Sequence, residues 1–192
     1  KWQVPPAVYV DYDGSDVKIN GMNGAWSGTA EVTTLGEATV IKWSPASGNK
    51  VHCTVGDAGY GIMYADEHKV SFSVTLAKDS EAAVVESTFR IAHPNGGSAL
   101  SIFIIDADGN VRLGKSGGTI IETLTTELKT VNITLDFDEE KLIAYKADGS
   151  TAEYSLAGFD SAKYSSLNEW RLDFGSSTNI FNWRASSAGV LY

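Results

Sequence analysis

The sequence predicts an all-β domain, a two-sheet antiparallel sandwich or a barrel. Three observations predict it. Hydrophobic residues recur at every second position in run after run, glycine-centred turns separate the runs, and no window of eleven residues carries a helical stripe. In Lys69–Ala77, Val70, Phe72, Val74 and Leu76 alternate with Ser71, Ser73 and Thr75. In Thr130–Phe137, Val131, Ile133, Leu135 and Phe137 alternate with Asn132, Thr134 and Asp136. Trp170, Leu172 and Phe174 alternate with Arg171 and Asp173. A step of 180° per residue buries one set and leaves the other on a solvated face.

Along the chain, further strands are expected at Ala7–Tyr12, Ala25–Ala30, Thr39–Trp43, Val51–Val55, Gly59–Tyr64 and Ala83–Ala92. The remaining ones fall at Ser98–Ile105, Asn110–Lys115, Lys141–Ala147, Thr151–Ser155 and Asn179–Ser186, with one short turn in Ser161–Leu167. Asp108-Gly109 and Asp148-Gly149 each separate two alternating runs, a strong local hairpin signal. Asp13-Gly14, Asn95-Gly96-Gly97 and Ser116-Gly117-Gly118 punctuate other joins.

At 192 residues the chain is long enough to bury roughly 70% of its unfolded surface without a disulfide or metal staple. Cys53 is the single cysteine, which excludes an intramolecular disulfide and a thiolate metal cluster. The longest nearly apolar run, Ala99–Ile105, falls far short of the ~20 residues of a membrane span. A net charge of −9 repels phosphate backbones and anionic lipid, so neither nucleic acid nor membrane insertion is expected. Lys1–Pro6 reads as a linker remnant and residues 7–192 as a single domain. A start at Lys1 without a leader, rare cysteine and many Ser, Thr, Gly and Asn suit a domain excised from a larger extracellular or cell-surface bacterial protein.

The run from Lys69 to Gly149 carries a resemblance. "KVSFSVTL", "ESTFRIAH", "ALSIFIIDADGNVRL" and "TVNITLDFDEEKLIAYKADG" resemble the meander of the concanavalin A-like lectin/glucanase superfamily, laminin-G-like domains included. The end, "WRLDFGSSTNIFNWRAS", is similar to the closing strand of such domains, which usually returns beside the first. The resemblance implies a jelly-roll sandwich of two antiparallel sheets and a carbohydrate-facing role.

Retaining glucanases of that superfamily carry Glu-x-Asp-x-x-Glu on one strand, which aims two carboxyls into a cleft. This sequence has no such spacing. The nearest acidic cluster, Asp136, Asp138, Glu139 and Glu140, straddles a turn, where carboxylates spread into solvent. Lyases on the fold carry an Arg-rich strand, a Gln-x-His strand and a Tyr-x-Lys-x-Gly-x-Tyr strand; Arg90, His93, Tyr145 and Lys146 match those residue types but not the spacings. His52, His68 and His93 each lack a His or Cys partner at ligand spacing, which argues against zinc.

Two oxygen-rich turns would suit calcium: Asp11, Asp13 and Asp16, and the loop of Asp106, Asp108 and Asn110. The competing reading is that D-G turns need the same residues for backbone reasons alone. The resemblance adds that sugar-binding jelly rolls often hold calcium with an Asp of the last strand; Asn182 stands there instead.

Sugars present apolar C–H faces, so their sites use flat aromatic rings flanked by hydrogen-bonding groups. Trp170 and Trp183 share phase with core residues. Trp26, Trp43, Tyr60 and Tyr64, with Asp57 and Asp66 beside them, form the expected ligand platform. A second candidate is the exposed register of the meander, Glu86, Thr88, Arg90, Phe103 and Arg112, with Phe103 and Ile105 facing away from Leu100, Ile102 and Ile104. The expected function is a non-catalytic domain binding a polysaccharide or glycan. The alternatives are a glycoside hydrolase or polysaccharide lyase on the same fold, and a protein-binding adhesion or scaffold domain.

Overall fold

The computed structural model describes residues 10–12, 16–19, 22–26, 29–44, 50–54, 69–92, 99–160, 169–174 and 183–191. Among them are sixteen strands and no helix. In chain order they are β1 (Val10–Tyr12), β2 (Asp16–Ile19), β3 (Met22–Trp26), β4 (Thr29–Leu35), β5 (Ala38–Ser44), β6 (Lys50–Thr54), β7 (Lys69–Lys78) and β8 (Ser87–Ala92). There follow β9 (Leu100–Ile105), β10 (Asn110–Leu113), β11 (Ile120–Thr123), β12 (Lys129–Asp136), β13 (Lys141–Tyr145), β14 (Thr151–Ser155), β15 (Glu169–Phe174) and β16 (Trp183–Leu191).

These strands form a nine-stranded sheet, β1-β2-β3-β6-β15-β8-β9-β10-β11, and a seven-stranded sheet, β14-β13-β12-β7-β16-β5-β4. Every pairing is antiparallel. The molecule is therefore a jelly-roll sandwich rather than a closed barrel. Both late strands insert centrally, β15 between β6 and β8 and β16 between β7 and β5. The closing strand thus lies beside β7 and β5, not beside the first strand as the resemblance implied.

Alternation supplies the core. Val74 and Leu76 of β7, Val131, Ile133 and Leu135 of β12, and Leu142 and Ala144 of β13 are at most 5% exposed. From the other sheet Phe89, Ile91, Ile105, Val111 and Leu113 are at most 2% exposed. Burying side chains of this size contributes about 1.5–3 kcal/mol each, and the two inward rows therefore dominate the stability.

The two D-G joins share one geometry. Asp106 N–H donates to Asn110 O and Gly109 N–H to Asp106 O; Lys146 N–H donates to Ser150 O and Gly149 N–H to Lys146 O. Each is a three-residue loop closed by a glycine in the left-handed region, with φ of 85° at Gly109 and 83° at Gly149. The strand expected at Ala25–Ala30 is the end of β3 and the start of β4. Strands β2 and β11 were not anticipated. The expected strand at Gly59–Tyr64 and turn at Ser161–Leu167 lie outside the described residues.

Candidate functional site

Register lines up polar residues across the nine-stranded sheet. In β8, Phe89 and Ile91 are buried while Thr88 and Arg90 are half-buried, so the latter pair marks the outer face. Residues directly opposite one another in an antiparallel pair share a face. Arg171 of β15 stands opposite Arg90, and His52 of β6 opposite Arg171. On the other side Arg90 meets Ser101 of β9. One transverse row therefore reads His52–Arg171–Arg90–Ser101. The next row reads Lys50–Asp173–Thr88–Ile104–Arg112. On the far side of the central row stand Thr54, Glu169 and Ala92.

A bulge corrects one expectation. Phe89 pairs with Phe103 but Arg90 pairs with Ser101, so Ile102 is an extra residue on β9. The alternation slips there: Ile102 and Phe103 are consecutive and both buried, at 0% and 1% exposure. Phe103, expected as an exposed contact, instead stacks on Phe89 with ring centroids 4.9 Å apart and planes 5° from parallel. It offers no ring to a ligand.

Arg112 keeps the outer face but is engaged locally. Its Nε donates to Asp106 Oδ2 at 2.7 Å and one terminal nitrogen donates to Gly118 O at 3.1 Å. Asp106 Oδ1 also accepts from the backbone N–H groups of Asp108 and Asn110, at 3.1 and 2.9 Å. Burial pushes the Asp106 carboxyl up, but the Arg112 and Asn110 donors outweigh it and hold the group below its ordinary range. This carboxylate braces a hairpin, in keeping with the backbone reading of the D-G turn.

The seven-stranded sheet has a differently organised outer face. Ser71 and Thr134 hydroxyls lie 2.6 Å apart, those of Thr75 and Thr130 2.9 Å apart, and Lys69 reaches Asp136 at 3.1 Å. These cross-strand pairs satisfy one another. Asp136, expected in solvent, is 1% exposed. It accepts the backbone N–H groups of Asp138 and Glu139, both at 3.0 Å, because a buried carboxylate needs donors. Asp138, Glu139 and Glu140 are solvated as expected.

A cleft of about 370 Å³ opens where β14 ends near the start of β9, lined by Leu100, Tyr154, Leu156, Phe159 and Asp160. Phe159 packs at a tilt on Phe137, centroids 5.8 Å apart. Lys115 Nζ stands 5.7 Å from the Tyr154 ring centre. Alternation in "TAEYS" alone does not single out Tyr154.

Of the expected platform, Trp26 ends β3 and Trp43 lies in β5, strands of different sheets. Their backbones are therefore not neighbours in one sheet. Asp57, Tyr60, Tyr64 and Asp66 lie outside the described residues. Asp11 and Asp16 stand in β1 and β2, opposite Lys18 and Ala25, while Asp13 lies outside the described residues. Among the described residues no group of three His, Cys, Asp or Glu is placed to hold a metal ion. Sequence reasoning missed that Arg171 stands opposite Arg90 and His52 opposite Arg171. Its only signal was that Arg171 alternates with Trp170 and Leu172.

No protein-family model and no curated protein sequence matches the chain. Solved structures do. A sialidase superposes on 90% of this chain with a TM-score of 0.62 at 10% identity, and the chain spans 17% of that protein. The seed lectin of Lotus tetragonolobus superposes with a TM-score of 0.55 at 10% identity over 96% of both chains. A botulinum neurotoxin type C structure, concerned with cell entry through two ganglioside molecules, covers 98% of this chain and 48% of its own at a TM-score of 0.54 and 12% identity. At such identities these likenesses speak to architecture. The chain has the concanavalin A-like, lectin-type sandwich fold.

Proposed function

We propose that the chain is a non-catalytic carbohydrate-binding domain of a larger extracellular or cell-surface bacterial protein, with the glycan lying across the outer face of the nine-stranded sheet. The observation that carries this is the register that lines up His52, Arg171, Arg90 and Ser101, with Asp173 and Thr88 in the adjoining row. Hydrogen-bonding residues held in fixed register on a rigid sheet suit a ligand that is itself a flat array of hydroxyls.

The sequence lacks the Glu-x-Asp-x-x-Glu spacing that aims two carboxyls into a cleft in retaining glucanases of the superfamily, which supports binding over hydrolysis. Calcium at Asp11, Asp13 and Asp16 is part of the proposal as a structural ion, and binding measured with and without a chelator tests it.

Affinity electrophoresis against a panel of soluble polysaccharides tests the whole reading. Retardation by at least one glycan, abolished by Arg90→Ala and kept by Tyr145→Ala on the opposite sheet, is expected. Retardation by none, or equal retardation of both variants, would overturn it. Binding to a protein partner that free sugars leave unaffected would favour the adhesion alternative.

A further inference from the structure

We infer that the open edge of β14 docks an extended, net-basic segment of another polypeptide, which adds to the seven-stranded sheet as one more strand. This surface is separate from the sheet face proposed for the glycan. β14 ends the sheet order and pairs on one side only, with β13. The hairpin shows which of its backbone groups that pairing uses. Lys146 N–H donates to Ser150 O, and Leu156 N–H donates to Glu140 O. Hydrogen-bonded pairs alternate along an antiparallel ladder, so Ala152 and Tyr154, in the same phase, turn their N–H and C=O groups toward β13. Thr151, Glu153 and Ser155 turn theirs outward. Among the described residues these outward groups have no partner, and the three residues are exposed.

Edge strands are ordinarily blunted by a bulge, a proline, an unpaired charge or shortness. β11, at the end of the other sheet, has four residues and a register shift against β10. β14 carries none of these devices. Its register with β13 is unbroken from Thr151 to Ser155, and its sequence TAEYS has no proline. Its one charge, Glu153, is paired with Lys141 Nζ at 3.0 Å.

An added strand alternates its side chains as β14 does, so every second one falls on the side of Ala152 and Tyr154, which are half-buried. Tyr154 and Leu156 line the cleft of about 370 Å³ on that side, together with Phe159 and with Leu100 of the opposing sheet. In strand addition, main-chain bonds to the edge supply affinity and pockets for alternate side chains supply selectivity. The cleft therefore calls for a large apolar side chain at one inward position. Charge defines the rest of the occupant. At a net −9 the chain repels acidic segments. A second copy pairing antiparallel through all three outward residues would set Glu153 against Glu153, between two molecules of that charge. Like charges directly opposite one another destabilise a strand pair.

Peptides from a random library displayed on phage are selected against the full chain, then synthesised and titrated by fluorescence anisotropy. Binders are expected to alternate, with a large apolar residue on one side and Lys or Arg on the other. N-methylation of every second peptide amide should weaken binding at least tenfold in one phase and leave it nearly unchanged in the other, because only one phase faces β14. Glu153→Pro removes an outward N–H but no bond of the ladder to β13, and should weaken binding at least tenfold. Ser155→Pro does the same without touching an ion pair, and serves where circular dichroism shows Glu153→Pro misfolded. Arg90→Ala should leave peptide binding unchanged.

No binders, or binders that are acidic or without alternation, overturn the inference. So does methylation that acts equally in both phases, or binding that both proline variants keep. Binding lost in Arg90→Ala moves the peptide to the glycan face and overturns it as well. A dimer in sedimentation velocity that Glu153→Pro dissociates assigns the edge to a second copy instead. Glycan retardation is measured separately, so any of these results leaves the carbohydrate reading standing.

Discussion

Arg112 and Asp106 clamp the β9–β10 hairpin at its foot, Nε to Oδ2 at 2.7 Å, while the same carboxylate caps two backbone N–H groups of the loop. Both side chains are about three-quarters or more covered, at 25% and 20% exposure, so solvent only partly replaces the contact. Asp106→Ala strands four donors at once, Arg112 Nε, the Asn110 side-chain amide and the backbone N–H groups of Asp108 and Asn110, and should cost about 1–3 kcal/mol. Asp106→Asn keeps an oxygen for the backbone donors and should cost less. Urea denaturation of the three proteins gives the order.

Acid should unfold the protein partly through two carboxylates. Burial raises Asp106 and Asp136, but Arg112 and Asn110 in the first case, and the Glu139 backbone N–H with Lys69 in the second, bring both below the ordinary value. A depressed folded pKa contributes stability that is complete above the unfolded value, about 3.9, and is lost as pH falls through the folded one. The free energy of unfolding should therefore decline from about pH 5 downward. In Asp106→Asn/Asp136→Asn the decline should be shallower, from a lower plateau, as read by denaturant melts across that range.

The stacked pair Phe89 and Phe103 lies at the bulge and is at most 2% exposed. Phe103→Ala should destabilise by about 3–5 kcal/mol, the cost of a lost aromatic side chain plus a cavity. Phe89→Ala should cost a similar amount. The double variant should fall short of the sum, because each ring is the other's neighbour. Thermal and urea melts of the full cycle measure the shortfall.

Gly114 is constrained twice. Its φ is +76°, and a Cβ added there would overlap the Tyr154 ring. Gly114→Ala should cost about 1–2 kcal/mol for the left-handed backbone and about 1–3 kcal/mol more for the clash. In a Tyr154→Ala background only the backbone part should remain. The difference between the two backgrounds, taken from melts, isolates the ring contact.

Long strands were legible because several alternations in succession are hard to produce otherwise. Lys69–Ala77 became β7 with one residue added, and Thr151–Ser155 matches β14 as expected. Strands β2 and β11, four residues each, escaped notice because two alternations do not stand out from loop sequence. Arg90 was legible as outward-facing from its phase between Phe89 and Ile91. Phe103 was misread for the opposite reason. Period two holds only while the ladder is unbroken, and one inserted residue at Ile102 reversed the face.

By itself the sequence determined the all-β class, the two glycine-closed hairpins and which side of β8 is solvated, because each depends on residues a few positions apart. Tertiary structure alone decided that Arg171 stands between His52 and Arg90, and that Asp136 is buried against Lys69. Pairing between distant segments is set by how whole sheets bury their apolar faces, and no local pattern encodes which polar residues that pairing brings side by side.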